Sequence, residues 1–209
     1  MRNIWKSYWA FTNIIYKAIM LILIPIVLIL GCILSVNEMA GNSLYFIFAL
    51  FVLDTESDFF FMNGAYQKGY GFSELMMSSS KYIRCLKQVT AVDIVRRLFV
   101  FQIPFVIEFL FAIGDEGRMI WCRQNAFWPW LAALMAQSVV LIARHFFEWI
   151  KIHFCMTMGA IFMMLLFVIV NELSLESVAL NGVLMVAFGV ISLVTIWYTQ
   201  KRGKEMYYD

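Results

Sequence analysis

Residues 63–97 read NGAYQKGYGFSELMMSSSKYIRCLKQVTAVDIVRR, and they are the long polar stretch of a chain that is otherwise rich in apolar residues. The basic residues of this stretch are Lys68, Lys81, Arg84, Lys87, Arg96 and Arg97, and its acids are Glu74 and Asp93. An excess of Lys and Arg beside apolar segments marks the cytoplasmic side of a membrane. The stretch therefore predicts a cytoplasmic segment between two membrane spans.

Apolar side chains recur at helical spacing within this segment and predict an amphipathic helix. One face is mostly apolar and holds Phe72, Leu75, Met76, Ser79, Ile83 and Leu86. The other face holds Ser73, Glu74, Lys81, Arg84, Lys87 and Gln88. Met77 falls on the polar face, where an exposed and flexible thioether suits a groove of another protein. We expect a docking element under the membrane, and the alternative is a linker helix that lies on the membrane with an incidental Met77.

The composition predicts one integral membrane domain over residues 1–209. Of the 209 residues 63% are hydrophobic and only 14% are charged, and the mean hydropathy is +0.79. A soluble domain of this size could not cover its surface with so little charge, and nothing in the pattern indicates a nucleic-acid partner. The cysteines are spread singly at Cys32, Cys85, Cys122 and Cys155, so neither disulfides nor a metal site are expected.

The apolar runs predict an all-α, polytopic protein with six transmembrane helices. Residues 1–13 precede them as an amphipathic interfacial helix, because a basic face lies opposite a face with Trp5 and Tyr8; a longer first span is the alternative. With both termini in the cytoplasm, all but two of the sixteen Lys and Arg residues are internal, the exceptions being Arg118 and Arg123. The spans are expected at about 14–36, 43–62, 95–114, 127–143, 152–170 and 178–199, with a long cytoplasmic loop at 63–94.

Two acids near the end of span two are candidates for a translocation path. Asp54 and Asp58 are four residues apart and share a helix face. They are consistent with an acidic rim at the inner mouth of a path that attracts basic or amphipathic substrates. The alternative is that they form ion pairs with Lys68 or with Arg96 and Arg97.

Glu108 is a third candidate, because it lies well within span three, four positions after Pro104. An ionisable residue at such depth usually faces a cavity or a partner helix. A place in the path or at a dimer interface and a simple hydrogen bond between helices are both consistent with this position.

The chain shows no motif of an enzyme. It contains no GxxxxGK[ST] phosphate-binding loop, no HExxH and no GxSxG. His145 and His153 have no obvious carboxylate partner in the sequence, and each is interpreted as a packing residue. No catalytic residue and no cofactor are therefore assigned to this chain.

Residues 69–88, GYGFSELMMSSSKYIRCLKQ, resemble the loop after the second helix of ABC-2-type transporter membrane subunits. That family has a glycine, an acid, a Leu-rich turn, a Ser/Pro stretch, a basic residue and an amphipathic helix. The counterparts here are Gly71, Glu74, Leu75 to Met77, Ser78 to Ser80, Lys81, and Tyr82 to Thr90. The family's usual proline is absent, and serines stand in its place. The six expected spans, the internal termini and the N-terminal amphipathic helix also resemble the family.

The resemblance implies a transport subunit in a bacterial cytoplasmic membrane that works as a dimer, preferably of identical chains, with two copies of a separate ABC ATPase. ATP and magnesium would bind the ATPase chains. The coupling helix would touch the ATPase through Phe72, Ser73, Glu74, Leu75, Met76, Met77, Ser78, Ser79 and Ser80. The substrates implied are hydrophobic or amphipathic peptides, as in small exporters and immunity systems for such peptides. The alternatives are a stand-alone immunity or accessory protein without an ATPase, and an intramembrane enzyme, for which the sequence has no catalytic set.

Overall fold

Helices account for nearly all of the chain that the computed structural model describes, which comprises residues 9, 12, 14–36, 42–66, 82–143, 149–172 and 178–208. The described part is all-α, as expected. Helix α1, residues 14–36, consists of Ile14–Ala18, a π-helical turn Ile19–Leu23 and Ile24–Val36. The others are α2 Asn42–Tyr66, α3 Tyr82–Phe111, α4 Glu116–Asn125, α5 Trp128–Ala143, α6 Trp149–Glu172 and α7 Val178–Tyr208.

Helix α3 begins much earlier than the expected third span. It runs without interruption from Tyr82 to Phe111, whereas the sequence predicted a span from about 95. No Gly or Pro occurs between Tyr82 and Ile103, so nothing breaks the helix where the chain changes from polar to apolar. The second half of the predicted loop 63–94 is therefore the first part of α3, and residues 63–66 end α2.

The region expected to be an external loop contains helix α4. Gly114 precedes it with a φ of 98°, a left-handed conformation that glycine adopts without steric cost. Asp115 then caps the helix, because its side chain accepts a hydrogen bond of 3.1 Å from the backbone N–H of Arg118. The sequence analysis missed this helix because the segment is polar and too short to signal a span.

Helix α5 lies at the centre of the described fold and packs against α2, α3, α6 and α7. Most of its residues are buried, including the small residues Ala132, Ala133 and Ala136. Small side chains let neighbouring helices approach closely. Helix α1 packs on the outer side of α2 and α3.

Within the described residues, three helical segments are long and apolar enough to cross a membrane: Ile14–Gly31, Glu116–Ala143 and Ile150–Ile169. The outside of the fold is strongly apolar, with Leu21 63% and Val186 68% exposed. Several charged side chains, by contrast, are buried, among them Asp54, Asp93 and Arg97. This distribution is opposite to that of a water-soluble protein and indicates a multi-pass membrane protein.

Candidate functional site

A buried arginine joins three helices in the interior of the fold. Arg97, on α3, is only 1% exposed. Its Nε donates to Oδ2 of Asp54 on α2 at 2.5 Å, and its Nη2 donates to Oδ1 of Asp58 at 3.1 Å. Its Nη1 donates to Oε1 of Gln137 on α5 at 2.6 Å. A planar guanidinium with several fixed donors suits such simultaneous contacts.

Arg96 extends the arrangement toward α1. Its Nη2 lies 2.6 Å from Oδ1 of Asp54, and its Nη1 contacts Sδ of Met20 on α1 at 3.3 Å. Asp93, one turn earlier on α3, lies 3.8 Å from Nε of Arg96 and 3.9 Å from Nη1 of Arg97. We call Asp54, Asp58, Asp93, Arg96, Arg97 and Gln137 together the Arg97 cluster.

The local sequence explains how the cluster forms. Asp54 and Asp58 are one turn apart on α2, so both carboxylates face α3. Asp93 and Arg97 have the same spacing on α3. Each of Asp54, Asp58, Asp93 and Arg97 is at most 2% exposed. Charges at such depth are tolerated only when they are paired and hydrogen-bonded.

The structure thus joins two of the three path candidates to arginines. For Asp54 and Asp58, ion pairing with Arg96 and Arg97 was the alternative that the sequence left open, whereas Lys68 lies outside the described residues. Glu108 lies apart from them on α3, eleven residues beyond Arg97 and so about 16 Å along the helix. It is 4% exposed. A role for any of the three in a translocation path stays a prediction.

The predicted coupling residues Phe72, Ser73, Glu74, Leu75, Met76, Met77, Ser78, Ser79 and Ser80 lie outside the described residues. Of the predicted interfacial helix, residues 1–13, only Trp9 and Thr12 are described, and Thr12 Oγ1 donates to the carbonyl of Trp9 at 2.9 Å. The structure does describe the two helices that flank the predicted coupling segment. Helix α2 ends at Tyr66 before it, and α3 begins at Tyr82 after it.

His153 has a carboxylate partner that the sequence analysis did not find. Its Nδ1 lies 3.0 Å from Oε2 of Glu56, which joins α6 to α2. Both side chains are about one third exposed, so water weakens the interaction. Glu56 lies between Asp54 and Asp58 in sequence but faces away from Arg97. The sequence contains no obvious sign of this contact, because 97 residues separate the two groups in the chain.

Sequence reasoning also missed Gln137 and Asp93 as members of the cluster. Gln137 is the one strongly polar side chain in the apolar run Trp128–Ala143. An amide within such a run usually faces the interior of a helix bundle, and this signal could have identified it. Asp93 stands four residues before Arg97, and its i,i+4 spacing was the available signal.

The described residues offer no group of three or more His, Cys, Asp or Glu side chains arranged to hold a metal ion. Within the same part of the chain, Cys122 and Cys155 are free thiols. What the Arg97 cluster can do chemically is bind helices together. Its acids lie within 4 Å of arginine nitrogens, and Arg97 also donates to the amide oxygen of Gln137.

Comparison of the chain with protein-family models, with curated proteins and with solved structures finds no match.

Proposed function

We propose that this chain is the transmembrane subunit of an ATP-driven ABC exporter. The observation that carries the proposal is the Arg97 cluster, which joins the two helices on either side of segment 67–81 to the central helix α5. A partner that pushes or pulls on that segment would move α2 and α3 as one unit. Through Gln137 the same movement would reach the centre of the fold.

The lengths of α2 and α3 support the proposal that residues 67–81 lie outside the hydrocarbon core of the membrane. At 1.5 Å per residue, α2 with its 25 residues and α3 with its 30 are about 37 Å and 45 Å long. The hydrocarbon core is about 30 Å thick. Both helices would therefore extend beyond it, and the basic residues Arg84 and Lys87 on the exposed surface of α3 favour the cytoplasmic side for that extension.

In this proposal six spans cross the membrane: α1, α2, α3, α5, α6 and α7. The charges of the Arg97 cluster on α2 and α3 are paired inside the fold, which reduces the cost of placing them in lipid. Both termini and the segment 67–81 would lie in the cytoplasm, and α4 outside. The membrane would be a bacterial cytoplasmic membrane, as the resemblance to ABC-2-type subunits implies.

The chain would work as a dimer, preferably of two identical copies, with two ATPase chains that bind ATP and magnesium. Residues Phe72 to Ser80 would form the helix that docks on the ATPase. Hydrophobic or amphipathic peptides are the proposed substrates, with Asp54, Asp58 and Glu108 as candidates near the path. A stand-alone immunity or accessory protein without an ATPase is the second candidate, since the Arg97 cluster would also stabilise a bundle that transports nothing.

A pull-down from detergent extracts tests the proposal. We expect an ATPase chain of about 200–300 residues to co-purify with the tagged wild-type protein and to be lost from the variant Glu74→Lys with Met77→Asp. The control variant is Glu116→Lys with Ile120→Asp, which makes the same charge change on the exposed face of α4. It should retain the ATPase. Purification of the wild-type chain alone under gentle conditions would favour the accessory protein instead.

A further inference from the structure

One side of helix α7 presents a row of exposed aliphatic side chains. Val186, Val190, Leu193 and Val194 are each more than half exposed. They follow one another at helical spacing and so share one face of α7. In a multi-pass membrane protein an exposed face of this composition contacts the acyl chains of lipids.

Trp197 and Lys201 continue this face beyond Val194. Trp197 is 63% exposed, and Lys201, one turn later, is exposed as well. Nζ of Lys201 lies over the indole ring of Trp197, 5.6 Å from the ring centroid. A cation within about 6 Å of an indole ring is attracted by the π electrons of that ring. The ring thus holds the positive charge of Lys201 at the end of the aliphatic row.

The length of α7 places this pair at a membrane boundary. The helix begins at Val178, and Trp197 comes nineteen residues later, which corresponds to about 28 Å. The hydrocarbon core is about 30 Å thick. If Val178 lies at one surface of this core, Trp197 lies at the other, where tryptophan is enriched, and Lys201 lies about 6 Å further out among the headgroups.

The end of α7 carries an excess of positive charge. Residues 199–208 contain Lys201, Arg202 and Lys204 and a single acid, Glu205. Basic residues directly after a membrane span are attracted to anionic lipids. An ammonium group has three N–H donors, so it can contact an aromatic ring and phosphate oxygens at the same time.

We propose that Trp197 and Lys201 bind the headgroup of one anionic phospholipid, such as phosphatidylglycerol. Lys201 donates to the phosphate, Trp197 holds Lys201 in place, and the acyl chains lie along Val190 and Val194. The charge excess of residues 199–208 selects an anionic headgroup over a zwitterionic one. This proposal does not depend on an ATPase partner.

Photolabelling in lipid vesicles tests this site. The full chain is reconstituted in phosphatidylcholine with a trace of either phosphatidylglycerol or phosphatidylcholine that carries a diazirine in the headgroup, and labelled residues are mapped by mass spectrometry. We expect the phosphatidylglycerol probe to label residues 194–204 at least about fivefold more than the phosphatidylcholine probe. Lys201→Gln should lower labelling by the anionic probe about fivefold. Trp197→Leu, which keeps an apolar side chain but removes the ring, should lower it about two- to fivefold.

Two control variants separate this site from general charge attraction. Lys201→Arg keeps the charge and should label like the wild type. Lys87→Gln removes the same charge from an exposed position on α3 and should leave the labelling of residues 194–204 unchanged. Equal labelling by the two probes would overturn the proposal, and so would an effect of Lys87→Gln as large as that of Lys201→Gln. Loss of the wild-type labelling in the presence of soluble glycerol phosphate would also overturn it, because it would indicate a site for free phosphates rather than for a lipid.

Discussion

Replacing Arg97 by methionine should strongly destabilise the protein. The change keeps a long apolar side chain but leaves Asp58 without its 3.1 Å guanidinium contact and Gln137 without its 2.6 Å donor. Breaking a buried ion pair by removing one partner costs about 3–5 kcal/mol. For a protein of this size each kcal/mol lowers the midpoint of thermal unfolding by about 2–4 °C, so the expected decrease is roughly 6–20 °C.

The assay heats the protein in detergent for one fixed time. Size-exclusion chromatography then measures the amount of monodisperse protein that remains. The control is Arg84→Met, which removes the same residue type from an exposed position on the same helix. The single variant Asp54→Asn and the double variant Asp54→Asn with Arg97→Met complete a double-mutant cycle. Because both single changes remove the 2.5 Å contact between Asp54 and Arg97, the double variant should lose about 0.5–3 kcal/mol less than the sum. An Arg97→Met variant that is as stable as Arg84→Met, or strictly additive effects, would refute the reasoning.

Three further predictions concern individual contacts. Gly159→Ala should destabilise the protein by about 1–3 kcal/mol, because a Cβ there would lie 2.5 Å from Cγ2 of Val139 on α5. The control Gly182→Ala should leave stability unchanged, because no atom lies within 4 Å of the added Cβ. Thermal unfolding of both variants checks this. Asp115→Ala should cost about 1 kcal/mol through loss of the cap of α4 and should speed hydrogen exchange of the Arg118 amide, while Asp115→Asn keeps the acceptor. Glu56→Gln should lower the free energy of unfolding by less than about 1 kcal/mol, because its 3.0 Å contact with His153 is partly exposed. A loss as large as that of Arg97→Met would show that exposure does not determine the cost of breaking an ion pair in this protein.

The helices themselves could largely be predicted from the sequence. Apolar runs located α1, α5 and α6 to within three residues, because a membrane span must be long and apolar. They also located the start of α7 at Val178, but this helix continues to Tyr208, nine residues beyond the expected end. The start of α3 at Tyr82 could not be located from hydropathy, since the helix continues after its apolar part ends. Helix α4 depends on the cap at Asp115 and the turn at Gly114, which are local signals that hydropathy does not contain.

The candidate site could be predicted only in part. Opposite charges at Asp54, Asp58, Arg96 and Arg97 suggested pairing, but charge alone does not determine whether such residues face each other or a path. The contact of Arg97 with Gln137 links positions 40 residues apart and depends on how α3 packs against α5. The hydropathy patterns of α3 and α5 do not indicate how the two helices pack together.

Photo-crosslinking from position 77 in intact cells tests most directly whether an ATPase docks on this chain. A photoreactive amino acid replaces Met77 in one variant and Ile120, on the exposed face of α4, in the other. If the proposed function is right, position 77 forms an adduct with a chain that carries a GxxxxGK[ST] phosphate-binding loop, and position 120 does not. An adduct only with lipid or with another copy of this chain, or no adduct at all, would contradict the transporter assignment.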